Sequence, residues 1–170
     1  MSSFQRYTAA LVLAALAWPL AAATDRQASP SSKVVLWQPG DPGDRMFLRG
    51  RVLGASGRPL AGAVLQLRQA DGTGSYHEYR YKAVLETAED GSFSISTVLP
   101  GQYWGEKHIH VGVSHKGYEP MVTRILFKGD PNLESGGDYE HVILLEEVHK
   151  DGEKVLVGGV EFVLTPAGGN

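Results

Sequence analysis

Cysteine is absent from all 170 residues. That excludes disulfides, thiolate metal sites, iron–sulfur clusters and a lipidated N-terminal cysteine. An excess of basic residues is missing too. The formal net charge is −3 and the pI about 6.1, so the chain has no nucleic-acid footprint and no nucleic-acid partner is expected. No apolar run reaches the roughly 20 residues that a membrane-spanning helix needs. No segment holds a 3.6-residue apolar period over helical length. What the chain has instead is punctuation: 21 glycines and 9 prolines, which imply many turns between short elements. Hydrophobic residues at 42% and charged residues at 21% are ordinary for a packed globular protein of one domain.

Lack of cysteine does not fix the compartment; the N-terminus carries that signal. Arg6 precedes the apolar run Ala9 to Leu20, which contains Pro19, and the small residues Ala21-Ala22-Ala23 lead into polar Thr24-Asp25-Arg26. This is the order of a secretory signal peptide. The expectation is a signal peptide over 1–23 and a flexible leader over 24–45. The exported chain would be periplasmic or extracellular, with no membrane association after cleavage. Within the leader, Val34-Val35-Leu36-Trp37 reads as a short strand or docking segment.

From residue 46 to 166 the pattern is that of strands and turns. Met46 to Leu53 reads as a strand, with Phe47, Val52 and Leu53 as core candidates. Ala63 to Gln69 alternates, so Val64 faces away from Leu65 and Leu67. Tyr79 to Thr87 is a further strand. Glu89-Asp90-Gly91 turns into Ser92-Phe93-Ser94-Ile95-Ser96, where Phe93 and Ile95 alternate with serines. Met121 to Phe127 is another strand, and His141 to Val148 pairs with Lys154 to Leu164. About eight to ten short strands indicate an all-β, antiparallel β-sandwich.

One stretch carries chemistry. Successive strand residues point to opposite faces, so His108 and His110 share a face and Ile109 takes the other. Tyr76 follows the turn Asp71-Gly72-Thr73-Gly74-Ser75, and Tyr103 follows Pro100-Gly101. Two imidazoles and two phenols could hold a metal. The same pattern also fits two surface histidines beside a core isoleucine and two tyrosines that staple loops.

The motifs, taken in order, are Gly50-Arg51-Val52-Leu53, Gly57-Arg58-Pro59-Leu60-Ala61-Gly62-Ala63, Gln69 to Tyr76, Thr87-Ala88-Glu89-Asp90-Gly91-Ser92-Phe93, Leu99-Pro100-Gly101-Gln102-Tyr103, His108-Ile109-His110 and Phe127-Lys128-Gly129-Asp130-Pro131. Over roughly residues 49–131 the sequence resembles the intradiol ring-cleavage dioxygenases. The resemblance implies a prealbumin-like β-sandwich and Fe(III) bound by Tyr76, Tyr103, His108, His110 and a hydroxide. It also implies a small aromatic diol as substrate, with O2, and a muconate-type diacid as product. Tyr103 matches the tyrosine that yields to substrate and takes one of its protons. A free phenol titrates near pH 10, so a ferric ion would have to drive the proton off.

Departures from the family pattern are equally specific. Gly105 stands where relatives usually carry an arginine, and Arg124 where they carry a glutamine. Arg124, with Lys107 as second choice, is the candidate to restore the positive charge. The Trp104–Lys107 link and the segment after Tyr76 are short, which implies a shallow, open pocket; Trp104 and Tyr79 or Tyr81 are candidates for its apolar wall. His77, His115, His141 and His149 read as surface or supporting residues. Residues 24–45 show no helical dimerisation segment, so a monomer or homodimer is expected. The competing expectation is an exported β-sandwich binding or envelope module that has lost catalysis.

Overall fold

The computed structural model describes residues 31–134, 137 and 139–168. The expected signal peptide 1–23 and the first part of the leader lie outside the described residues. Among the described residues, no helix is long and apolar enough to cross a membrane. The described chain is all-β: β1 (Lys33–Val35), β2 (Arg45–Gly54), β3 (Val64–Gln69), β4 (Lys82–Glu86), β5 (Ser92–Val98), β6 (His108–Ser114), β7 (Met121–Phe127), β8 (Val142–Ile143), β9 (Glu146–Lys150) and β10 (Glu153–Leu164).

These strands form two five-stranded sheets, in the orders β1-β5-β2-β10-β9 and β4-β3-β6-β7-β8. Most pairs are antiparallel. Three are parallel, β1 with β5, β2 with β10 and β7 with β8, so both sheets are mixed. Parallel pairing joins segments distant in sequence, and no local turn signal announces it.

The core lies between the sheets. Met46, Leu48 and Val52 of β2, Phe93 and Ile95 of β5 and Phe162 of β10 face Leu65 of β3, Ile109, Val111 and Val113 of β6 and Ile125 of β7, all buried. Phe93 and Phe162 stack at 6.0 Å. The alternation expected for Leu65, Leu67, Phe93 and Ile95 is present. On β2, Val52 is core as expected, together with Met46 and Leu48, whereas Phe47 and Leu53, also expected in the core, are half-buried on the other face. Phe47 instead lies under the Arg49 guanidinium, 5.3 Å from its ring centre.

Two other boundaries differ from expectation. The strand expected over Tyr79 to Thr87 is confined to β4, because Tyr81 takes φ 55° and Arg80 turns away to grip Asp41 with two hydrogen bonds of 2.8 and 2.9 Å. The segment His141 to Val148 divides between the sheets. Its β8 part extends the second sheet beside β7, and only β9 pairs with β10.

Candidate functional site

β6 is the centre of the second sheet. Its inward residues Ile109, Val111 and Val113 fill the core, so His108 and His110 stand on the outer face. The Nδ1–H of His108 donates to the Glu106 carbonyl at 2.7 Å. A carbonyl only accepts, so Nδ1 carries a proton, and in the neutral ring Nε2 then keeps its lone pair. That Nε2 lies 3.1 Å from the His110 Nε2. Burial first, then the neighbouring His108, Arg124 and Arg68, lower the His110 pKa and so favour its neutral form. Two imidazole nitrogens therefore converge on one point.

The phenols arrive on two loops. Asp71, almost fully buried, builds the first. Its Oδ1 accepts from the Thr73 hydroxyl at 2.7 Å, the Thr73 N–H at 2.8 Å and the Ser75 N–H at 3.0 Å. Its Oδ2 accepts from the His77 ring at 2.7 Å. Burial alone would raise the Asp71 carboxyl, but these bonds outweigh it and hold it far below the usual carboxylate range. Residues 71–77 are thus wound around one carboxylate, and Tyr76 is carried on that turn.

The second loop docks directly on the first. The Gly101 N–H donates to the Asp71 carbonyl at 2.7 Å. A Cβ on Gly101 would stand 2.3 Å from the Gly74 nitrogen, and one on Gly74 would stand 2.1 Å from the Gln102 carbonyl oxygen. Only glycine at both positions permits this approach. It sets the Tyr76 and Tyr103 rings edge to face at 5.0 Å, with the His110 ring 6.4 Å from Tyr76. All four expected donors are therefore gathered on one face. Tyr76 is half-buried and Tyr103 is 46% exposed. Burial raises the Tyr76 phenol above its ordinary value, opposed by Arg68.

Among the described residues, no group of three or more His, Cys, Asp or Glu side chains could hold a metal ion. A metal here would have to use the phenol oxygens. Two phenols and two imidazoles, one with its Nδ1 proton held by a backbone carbonyl, make a donor set that suits a hard, highly charged cation, which can displace phenolic protons.

Arg124 lies on β7 directly opposite His110 in register. Its guanidinium is paired with the Glu106 carboxylate, whose pKa is lowered by its own backbone N–H and then by Arg124. Lys107 contributes its backbone N–H, which donates to Asp130. Sequence reasoning missed a second arginine. Arg68 of β3 pairs with His110 from the other side, and its guanidinium lies over the Tyr76 ring at 4.8 Å. Arg68 makes no ion pair among the described residues. Local sequence could not reveal it, because its place depends on the β3–β6 register. Asp71 had a signal, the Asp-Gly-Thr turn, but its role as anchor was not drawn from it.

The expected walls do not enclose the site. Tyr81 is core, 2% exposed, with its phenol pushed up to about 12 by burial and Asp41. Tyr79 and Trp104 are 87% and 91% exposed. Gly105 has φ 118° with open space around it, so an arginine there would fit sterically but be strained in this backbone. An open concavity of about 480 Å³ adjoins His110, lined by Val122, Thr123, Arg124, Leu126, Tyr139 and Glu140. A larger one, about 840 Å³, lies on the outer face of the other sheet among Lys33, Phe47, Arg49, Arg51 and serines of β5; it holds no comparable cluster. The remaining histidines are dispersed. His77 braces Asp71, His141 accepts from or donates to the Thr123 hydroxyl at 2.9 Å, His115 contacts the Ala61 carbonyl at 3.1 Å, and His149 is exposed near Glu147.

The β-sandwich with a phenol–imidazole centre on its outer face defines the class: residues 22–139 match the family model described as Dioxygenase. The chain belongs to the intradiol ring-cleaving dioxygenase family. It is 28% identical over 156 residues to a chlorocatechol 1,2-dioxygenase of Rhodococcus opacus, an alignment covering 73% of this chain and 61% of that one. In fold it is similar to catechol 1,2-dioxygenase from Pseudomonas arvilla C-1, with a TM-score of 0.75 and 24% identity over 84% of this chain and 60% of that one. It is also similar to the dioxygenase domain of a dioxygenase carbohydrate-binding protein fusion from Streptomyces sp. SirexAA-E. There the TM-score is 0.68 and the identity 29%, with 84% of this chain and 92% of that one covered. The chain thus spans about 60% of the length of the first two.

Proposed function

We propose that this chain is an exported Fe(III)-dependent intradiol dioxygenase that opens a catechol-type ring between its two hydroxyl-bearing carbons. The observation that carries this reading is the convergence of Tyr76, Tyr103, His108 and His110 on one face of the second sheet. Those four residues would hold the metal. Ferric iron, when bound, would supply the Lewis acidity that drives off phenolic protons and activates the bound diol toward oxygen.

The protein's own groups divide the remaining tasks. The Glu106 carbonyl keeps the His108 proton on Nδ1 and its Nε2 free. Tyr76 is fixed by the Asp71 turn and covered by Arg68. Tyr103, more exposed and on the outer loop, is free to swing aside and, as phenolate, accept a proton from a substrate hydroxyl. Arg124 lines the concavity beside His110 and can face a substrate oxyanion, its charge moderated by Glu106. Both atoms of O2 enter the product as the carbon–carbon bond breaks, so the diacid forms with no external reductant. A non-catalytic module is not favoured, since the relatives carry dioxygenase names.

The test is oxygen uptake by iron-loaded protein over a panel of catechols and hydroxyquinols, with product identified by mass. The expected result is one O2 consumed per ring opened and a product heavier than substrate by both oxygen atoms. Absence of uptake with every diol would overturn the reading.

A further inference from the structure

Trp104 combines three properties that a structural tryptophan does not share. It is 91% exposed, whereas tryptophan in folded proteins is usually well buried. It takes φ 48°, a left-handed conformation that bulky residues avoid and that clusters at functional sites. Its ring meets Tyr103 edge to face at 6.5 Å, and Tyr103 in turn packs on Tyr76. The segment that displays it is anchored at both ends. Gly101 bonds to Asp71 before it, and Lys107 and the Glu106 carbonyl are bonded to Asp130 and His108 after it. Trp104 is therefore held out beside the phenol cluster by a fixed link. The site itself is open. An open concavity of about 480 Å³ adjoins His110 on its Arg124 side, lined by neither Trp104 nor the tyrosines of the cluster.

We propose that Trp104 is a stacking platform for a second aromatic ring, and that the preferred substrates are aryl-substituted catechols rather than single-ring ones. This rests on the ring-opening reading above. An indole face offers a large, rigid apolar surface at low entropic cost, and a pendant ring would cover it when the diol end is at the tyrosines. A single-ring diol held among the four donors would leave the indole in water.

The experiment has two arms on the full-length protein. In the first, iron-loaded wild type, Trp104→Ala and Trp104→Phe are assayed with phenylcatechol and methylcatechol. The expected result is a higher kcat/KM for phenylcatechol in wild type. The phenyl-to-methyl ratio should fall about tenfold in Trp104→Ala, the size of a lost aromatic contact, and largely recover in Trp104→Phe. In the second arm, calorimetry on metal-free protein compares phenoxyphenol with phenol. Tighter binding of phenoxyphenol, weakened by Trp104→Ala, supports the platform even if no catechol is turned over, in which case the ring-opening reading fails alone. Turnover of both catechols with a ratio unchanged in Trp104→Ala overturns the platform and leaves the ring-opening reading standing. Equal or unmeasurable binding of both phenols likewise counts against the platform.

Discussion

Asp71 shows how much of the site rests on residues that touch no substrate. One carboxylate accepts four hydrogen bonds from residues 73–77 and fixes the turn that carries Tyr76. Removing it deletes four part-buried hydrogen bonds to a charged acceptor, so Asp71→Ala is expected to lower unfolding free energy by about 1–3 kcal/mol. The sign of its pH dependence follows from its lowered folded pKa. The unfolded carboxyl titrates near pH 4, so the stabilisation is complete above that value and is lost as pH falls below it. Urea unfolding at pH 7 and pH 3 checks both points: the wild type should lose stability between them, and the variant should lose less. An equal loss in both would remove Asp71 from this role.

At the scale of elements, the site is made by two loops that meet. The Gly74–Gly101 contact lets the tyrosines share one place, and a methyl group there has no room. Gly101→Ala is expected to leave the β circular dichroism intact while lowering kcat/KM by as much as about 100-fold, the cost of displacing a reacting group by about 1 Å. Unchanged kinetics would show that the contact does not set the tyrosine spacing. This scale also separates what the sequence revealed from what it hid. The face shared by His108 and His110 follows from the strand period, and the turns before Tyr76 and Tyr103 are written in glycine, proline and aspartate. Arg68 opposite His110, the parallel β2–β10 pair and the division of 141–148 between sheets depend on pairings between distant segments. Phe47 and Leu53 face away from Val52 on β2, because a run of apolar residues fixes a strand but not its phase.

At the scale of the whole molecule, the sandwich acts as a rigid support whose second sheet sets one arginine on each side of His110. Arg68, His110 and Arg124 sit side by side on β3, β6 and β7, and Glu106 neutralises only the last. The matched relatives are longer, and here short links leave the site open. Openness and an exposed indole are the features on which the proposed preference for aryl-substituted diols rests.

The central claim is that Tyr76, Tyr103, His108 and His110 hold ferric iron. The visible spectrum of iron-loaded protein, recorded without oxygen before and after adding catechol, tests it most directly. The expected result is a wine-red tyrosinate-to-iron charge-transfer band that shifts when catechol binds and is altered before catechol in Tyr103→Phe. A colourless protein after reconstitution, or a spectrum indifferent to Tyr103→Phe, would contradict the account.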